Sequence, residues 1–407
     1  MVFAMSGILI LGASHSGVAA AAALRTAGYG DAIALVTQEV VLPYHRPPLS
    51  KEGLTKDEYA LTPLRPESFY KTNGIDLRPG VLIADLNRAE KYVISADGTR
   101  YPYETLIVAC GAEPRRLPSA VDPGRIAHYL RTHNDLVGLK ERMANAKSIA
   151  IIGGGLIGVE IAAIAVQKGL QATVIEAGVR LMERTVSKSI ANYVLDRHEA
   201  SGLKTRFGAV VTGVHRDDQR GVDVVTLSGG ETIETDMVVA AIGVVPHDTL
   251  AKNAGLAVDG GILCSPEGLT SDPSIYAVGD CSAWYDPELE RHVRNEAVNP
   301  GQDQAKIVAA AITGTEMPPK KLPRYWSHQA AIQIQMAGNV HGSDMEAVLK
   351  APASGAFSVL GFRDGHLVAV QAINAPQQFG KLHGLIGMDR DALATALDVE
   401  FPPSHHH

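Results

Sequence analysis

Twice in 407 residues, a short apolar run breaks into a glycine turn that opens directly into a helix of small side chains. The second copy reads Ser148-Ile-Ala-Ile-Ile-Gly-Gly-Gly-Leu-Ile-Gly-Val-Glu160, and predicts a helix through Lys168 followed by a strand Ala172-Thr-Val-Ile-Glu176. Gly153, Gly155 and Gly158 stand in the full G-x-G-x-x-G spacing. The first glycine makes the tight turn, the second lets backbone approach a pyrophosphate, and the third lets helix and strand pack closely. The helix N-terminus then offers N–H donors to phosphate. The first copy runs from Gly7 through Gly12 to Gly17, then a helix over Val18–Arg25 and a strand Ala32–Val36 ending near Gln38 and Glu39. Its middle position is Ser14, whose Cβ is expected to crowd the pyrophosphate. A lone turn of this kind is weak evidence. Two, each after a strand, before a helix and with an acid about 20 residues on, predict a chain that binds two dinucleotides. Glu176, at a strand end, suits ribose hydroxyls and repels a 2′-phosphate, which favours NADH over NADPH, although Arg180 and Arg184 lie just downstream.

Each copy is closed by a further apolar strand running into glycine, Glu104–Ala112 for the first and Asp236–Val244 for the second. The second copy is complete between them and reads as an insertion in the first. A third short strand, Ser274–Asp280, ends in Gly279-Asp280, where a carboxylate can accept hydrogen bonds from a polyol. Beyond it, Ala356–Phe362 and His366–Gln371 flank Asp364-Gly365 as a β-hairpin, and a helix is expected from about Asp389. The expected fold is α/β, with two Rossmann-like dinucleotide-binding domains, one inserted in the other, and a C-terminal α+β domain. The expected boundaries are 1–117 with 244–318, then 118–243, then 319–401, with 402–407 a tail or tag remnant.

Composition narrows the function. A net charge of −7 argues against a general nucleic-acid binder. No apolar run approaches the roughly 20 residues of a membrane span, and no secretory signal is expected. Cys110, Cys264 and Cys281 are widely spaced and form no C-x-x-C, which excludes a disulfide framework and a cysteine-held zinc or iron–sulfur centre and suits a cytoplasmic protein.

These residues together resemble the two-dinucleotide-binding flavoproteins. Within them they resemble the ferredoxin reductases of bacterial oxygenase systems, of the putidaredoxin reductase and biphenyl dioxygenase ferredoxin reductase type. The resemblance spans nearly the whole chain. It rests on Pro43-Tyr-His-Arg-Pro-Pro-Leu-Ser-Lys51, Gly153–Glu160, Arg180-Leu-Met-Glu-Arg184, Ala277-Val-Gly-Asp-Cys281 and Tyr325-Trp-Ser-His-Gln329. It implies FAD in the outer unit and NADH in the inserted one. It implies that Lys51 pairs with Glu160 beside flavin and nicotinamide, the two residues closest to the chemistry. Asp280 would hold the ribityl chain, the Glu296-Ala-Val298 backbone the ring edge, and Trp326 would lie near the flavin. FAD contacts are further implied at Gly12, Ser14, His15, Ser16, Gln38 or Glu39, Arg46, Ile83, Ala109, Cys110, Gly111, Arg131 and Gly279. NADH contacts are implied at Gly153, Gly155, Leu156, Ile157, Gly158, Glu160, Glu176, Arg184, Ile242 and Gly243. Three departures stand out: Ser14 for glycine, Cys110 for threonine, and His328 for the aspartate of Trp-Ser-Asp-Gln.

Read alone, Lys51 is a surface lysine after a proline turn, Glu160 an acid favoured by a helix dipole, and Asp280 a cap. His15 and His45 read as loop residues, Cys110 as a small buried one, and His328 as either a spacer or a titrating group. Without a cysteine pair, or a redox cysteine near residues 40–45, flavin is the expected sole redox centre. The expected activity is an NADH-dependent reductase that passes single electrons from FAD to a [2Fe–2S] ferredoxin feeding a Rieske oxygenase or a P450. The alternatives are a reductase of rubredoxin or a quinone-like molecule, and an NADH-binding sensor of the apoptosis-inducing-factor type. Lys320, Lys321, Arg324, Arg291 and Arg294 are candidate docking charges for an acidic ferredoxin, or a solvated basic linker. Oligomerisation stays open.

Overall fold

A computed structural model describes residues 7–319, 321–339, 343–353 and 355–401. By packing, the chain forms two compact units, one of residues 1–45, 60–113 and 244–323, the other of residues 46–59, 114–243 and 324–407.

The first unit is built on a five-stranded sheet of Ile275–Ala277, Thr105–Val108, Gly7–Leu11, Ala32–Val36 and Ile75–Arg78, in that spatial order and parallel throughout. Parallel strands are covered on both faces, and the central strand Gly7–Leu11 is buried along its whole length. The helix His15–Thr26 follows the glycine turn and packs with Val298–Thr313. Its alanines leave room for that close approach. The unit also carries a three-stranded antiparallel sheet of Ile83–Asn87, Tyr92–Ser95 and Arg100–Pro102, and a mixed one in which Ser282–Asp286 pairs parallel with Ile262–Cys264 and antiparallel with Arg291–Val293.

The second unit repeats the plan. Lys204–Phe207, Gln171–Glu176, Ser148–Ile152 and Met237–Ala240 form a four-stranded parallel sheet. The helix Leu156–Gln167 is apolar on nearly every side and buried from Gly158 to Ala165. The same unit carries the five-stranded antiparallel sheet of Arg324–Gln329, Ile332–Gly338, His366–Ile373, Phe357–Arg363 and Met345–Lys350. The expected hairpin joins Phe357–Arg363 to His366–Ile373, with Asp364 and Gly365 both at positive φ (50° and 74°), the geometry of a tight two-residue turn. The last helix is Arg390–Leu397, capped by Asp389 through the N–H groups of Asp391 and Ala392. Residues 46–59, which the sequence assigns to the first nucleotide domain, pack with this second unit. Among the described residues no helix is long and apolar enough to cross a membrane.

Candidate functional site

The two glycine turns have the same geometry. Gly12 and Gly153 adopt φ of +102° and +105°, and an added Cβ would lie 2.3 Å from the Ala109 carbonyl oxygen and 2.4 Å from that of Ala241. Side chains are sterically barred at both. At the third position, a Cβ on Gly17 would come 1.8 Å from the Gly12 oxygen, and one on Gly158 2.0 Å from the Gly153 oxygen. Gly155 differs, because its Cβ would meet nothing within 4 Å. Packing does not demand glycine there, and the open space is a cradle for something brought to the turn. Gly155 and Ser14 are the equivalent N-caps of their helices, and neither helix has a side-chain cap. First-turn N–H groups therefore face each turn, the donor set that suits a pyrophosphate.

Glu176 ends its strand with both oxygens engaged, Oε2 accepting from Gly154 N at 2.6 Å and Oε1 from Gly178 N at 2.7 Å. Arg180 is spent on the carbonyls of Val186 and Glu183, at 3.0 Å each. Leu156 and Ile157 open the helix, and Ile157 is exposed. Gly243, with φ +100°, lies beside the Arg184 guanidinium and follows Ile242 after the strand Met237–Ala240.

In the first unit, His15 opens the helix His15–Thr26 and is buried, correcting its reading as a loop residue. Its ring meets that of His45, a loop residue as expected, edge-on at 5.6 Å. Ser16 sits against Gly279 and Gly301, where added Cβ atoms would come 2.5 and 2.3 Å from its Oγ. The Gly279 N–H donates to Gln304 Oε1 at 2.8 Å. Asp280 therefore lies in a turn pinned to both helices, next to Ser16. Gly301 and Gln304 carry no motif and escape a sequence reading. Ala109, Cys110 and Gly111 follow the strand Thr105–Val108. Gln38 is exposed, whereas half-buried Glu39 accepts from the Tyr44 hydroxyl at 2.7 Å. Ile83 begins a flanking strand. Glu296 is ion-paired with Arg294 at 2.7 Å, and Val298 begins its helix.

The chemistry-bearing cluster lies in the second unit. Arg46 Nη1 donates to the Arg131 carbonyl at 2.8 Å, seating the start of the Pro47–Ser50 turn. Lys51 follows this turn, and its Nζ lies 2.9 Å from Glu160 Oε2. Glu160 is 1% exposed. Its Oε2 also accepts from Ser50 Oγ at 2.5 Å, and its Oε1 from Ser327 Oγ at 2.6 Å and, more distantly, His328 N at 3.4 Å. Lys51 additionally donates to the Pro47 carbonyl at 3.2 Å. This is the pairing that the resemblance implied, with two serines added. Trp326 is half-buried on the strand Arg324–Gln329, and His328 is exposed. Strand alternation turns His328 away from Ser327 and Gln329.

All three cysteines are free. Burial pushes their thiols upward, that of Cys281 to about 12. Of the candidate docking charges, Arg291 and Arg324 are exposed, Lys321 lies 3.8 Å from Asp303, and Lys320 is outside the described residues.

The profile of the pyridine nucleotide-disulphide oxidoreductases matches residues 6–306, and that of the reductase C-terminal domain residues 324–401. A rubredoxin-NAD(+) reductase from Pseudomonas putida is 38% identical over 381 residues, covering 93% of this chain and 98% of that protein. The crystal structure of the covalent putidaredoxin reductase–putidaredoxin complex superposes with a TM-score of 0.88 at 32% identity, over 96% of this chain and 95% of the other. The ferredoxin reductase for the CYP199A2 system of Rhodopseudomonas palustris gives a TM-score of 0.88 at 34% identity, over 95% and 96%.

Proposed function

Since the chain belongs to the pyridine nucleotide-disulphide oxidoreductase family, we propose that it is the NADH-dependent reductase of a [2Fe–2S] ferredoxin that serves an oxygenase. It is an FAD-dependent oxidoreductase whose cofactors are FAD and NADH, and it passes electrons to a ferredoxin-like or rubredoxin carrier. The observation that carries the proposal is the buried Glu160 held against Lys51, in a chain whose three cysteines are free and raised by burial. Thiols raised this way form little thiolate to relay electrons, so the electrons leave from the flavin itself.

The residues present fit both cofactors. In the first unit, the Gly12 turn, Ser14, His15 and Ser16 would hold the FAD phosphates, Glu39 a ribose, Asp280 the ribityl chain, and the Glu296-Ala-Val298 backbone the ring edge. In the second, the open cradle at Gly155 would take the NADH pyrophosphate and Glu176 its ribose hydroxyls. By function we take residues 1–117 with 244–318 as the FAD-binding domain, 118–243 as the NADH-binding domain and 319–401 as the interface domain, with residues 46–59 packed in the second compact unit.

FAD held by the Gly12 turn, Ser16 and Asp280 would supply two-electron acceptance from NADH and one-electron release to the carrier. Orienting the donor is the protein's part, because a hydride moves only over a short, aligned path. Glu160 orients the nicotinamide carboxamide and holds Lys51 in place. Lys51 sets a positive charge where negative charge grows. No proton transfer by a side chain is required. The free thiols suit a reducing compartment, and we assign the protein to the cytoplasm on that ground.

Rubredoxin is a second reading, favoured by the relative at 38% identity. Anaerobic stopped-flow separates the two. Protein pre-reduced with NADH is mixed with [2Fe–2S] ferredoxins and with rubredoxin while the flavin bands are followed. Fast flavin reoxidation with ferredoxin bleaching supports the proposal, and fast reoxidation by rubredoxin alone replaces it. A long-wavelength charge-transfer band that persists with every carrier overturns both and favours a sensor or an acceptor outside the panel.

A further inference from the structure

We propose that Ser327 and Gln329, with His198 behind them, are positioning residues that orient the Glu160 carboxyl. The inference rests on the reading of Glu160 as the nicotinamide-side carboxylate.

The three side chains join head to tail inside the protein. Ser327 and Gln329 are 0% exposed and His198 is 5% exposed. Ser327 Oγ lies 2.6 Å from Glu160 Oε1, Gln329 Nε2 lies 3.2 Å from Ser327 Oγ, and Gln329 Oε1 lies 3.1 Å from His198 Nε2. An amide nitrogen only donates, so the Ser327 oxygen accepts from Gln329 and its single proton is left for Glu160. The Gln329 oxygen accepts, so the proton of His198 sits on Nε2. Burial, partly opposed by the Gln329 hydrogen bond, holds His198 below its ordinary range, in keeping with a neutral ring. The Met182 sulfur, 3.3 Å from Gln329 Nε2, fixes which end of the amide faces Ser327, since an oxygen there would oppose another acceptor. Every donor in the chain therefore points toward Glu160.

That direction has a consequence. A flipped Gln329 amide would claim the Ser327 proton for itself, and Glu160 Oε1 would lose its closest donor. Buried polar groups cost stability unless bonded, and a strand that needed only to pack would carry apolar side chains here. Three elements converge on one carboxyl instead: the helix Leu156–Gln167, the strand Arg324–Gln329 and the helix Lys188–Ala200. Lys51 and Ser50 hold the other oxygen, so the carboxyl is clamped from both sides and its plane is set.

The test uses oxidised holoenzyme with Ser327→Ala, Ser327→Thr, Gln329→Met and Glu160→Gln. Three quantities are read: the limiting rate of flavin reduction by NADH, the dissociation constant of NAD⁺ by calorimetry, and the thermal unfolding midpoint. Ser327→Ala is expected to slow reduction about tenfold, the worth of one hydrogen bond to a charged group, and Gln329→Met, which removes a hydrogen bond to a neutral hydroxyl, to slow it less, and both to weaken NAD⁺ binding in the same order. Ser327→Thr, which keeps the hydroxyl, restores both. In a Glu160→Gln background the Ser327→Ala change has no further effect. Full additivity in that cycle, or a wild-type rate and NAD⁺ affinity in Ser327→Ala while Glu160→Gln is impaired, overturns the positioning role and leaves the Glu160 reading standing. Wild-type behaviour of Glu160→Gln overturns that reading itself. If Gln329→Met lowers the unfolding midpoint, the Ala/Thr pair at Ser327 alone decides.

Discussion

The Glu176 carboxyl is held by the Gly154 N–H at 2.6 Å, so the acid at the strand end and the glycine turn form one rigid piece. Gly178 N fixes the other oxygen. Each oxygen keeps a lone pair for a ribose hydroxyl, while a 2′-phosphate would meet an oriented negative charge. Arg180 does not offset it, because backbone carbonyls already take its guanidinium. Glu176→Ala is expected to raise KM for NADH and to narrow the preference over NADPH by about tenfold or more, the scale of one charged hydrogen bond. Steady-state kinetics with both nucleotides measure it. An unchanged ratio would remove Glu176 from the discrimination.

Gly155 and Gly158 make opposite predictions two residues into the same motif. A Cβ on Gly158 would sit 2.0 Å from the Gly153 oxygen, a backbone atom that cannot yield. Gly158→Ala therefore lowers the unfolding midpoint. Gly155 has open space around its Cβ position, so Gly155→Ser leaves the midpoint within a degree or two, as expected of a surface change worth about 0.5 kcal/mol or less, and raises the dissociation constant of NADH. Ser14 already occupies the equivalent place in the other turn, which shows that the backbone accepts a side chain there. A midpoint loss in Gly155→Ser equal to that of Gly158→Ala would contradict the cradle.

The central strands of both parallel sheets, the terminal hairpin and the last helix were legible in the sequence because each depends on local rules, whereas the short, polar-alternating edge strands Ile75–Arg78 and Lys204–Phe207 were not. Buried strands are continuous apolar runs, Gly12 and Gly153 mark turns that admit no side chain, and Asp364-Gly365 is a two-residue turn by composition. The Lys51–Glu160 pair was legible only through resemblance, since 109 residues separate the partners and no periodicity links them. Ser50, Ser327 and Gln329 stood inside quoted motifs, but nothing in their spacing says that they converge on Glu160. His198 and Gln304 stood in no motif. Their roles arise from which helix faces which strand, which tertiary packing alone decides. Residues 46–59 read as part of the first nucleotide domain because they follow it in sequence, whereas packing assigns them to the second unit.

The thiols give a negative control for the electron path. Cys281 Sγ donates toward the Val278 carbonyl at 3.4 Å and Cys264 Sγ toward that of Ile262 at 3.4 Å, and burial raises both thiols, with that of half-buried Cys110. Little thiolate forms near neutral pH, so alkylating reagents find no nucleophile. Native protein at pH 8 should resist iodoacetamide, and Cys281→Ser should keep carrier reduction within about twofold, as expected when a cysteine serves only as a small apolar side chain. Loss of carrier reduction with flavin reduction intact would point to a thiol relay.

His198 ties stability to pH with a definite sign. Burial lowers its folded-state value beneath the ordinary 6.5, with the Gln329 hydrogen bond acting in the opposite direction. The unfolded chain therefore takes up a proton at 6.5 that the folded chain refuses. Stability is complete above that pH and declines as pH falls through it toward the lower folded value. His128 shifts the same way, through burial and the Arg142 charge. His198→Gln keeps an amide N–H for Gln329 and loses the titration. Unfolding midpoints measured between pH 5 and 8 are expected to fall less steeply on the acid side in this variant. Parallel profiles would show that His198 takes up its proton equally in the folded and unfolded chains.

Arg291 and Arg324 are the exposed docking charges that make no ion pair among the described residues, whereas Arg294 is ion-paired with Glu296 at 2.7 Å. Paired charges present a weaker field to an approaching acidic carrier, so the candidates do not count equally. Charge reversal acts on encounter rate and fades with ionic strength. Arg324→Glu and Arg291→Glu are each expected to slow reduction of an acidic [2Fe–2S] ferredoxin severalfold at low salt, on the scale of electrostatic steering. The deficit should shrink as the Debye length falls to roughly 3 Å near 1 M salt. Arg294→Ala should matter less, because Glu296 already cancels much of its charge. Reduction of flavin by NADH should stay unchanged in all three. Stopped-flow traces at two salt concentrations separate the steps, and ferredoxin kinetics equal to wild type at low salt would exclude these arginines from the docking surface.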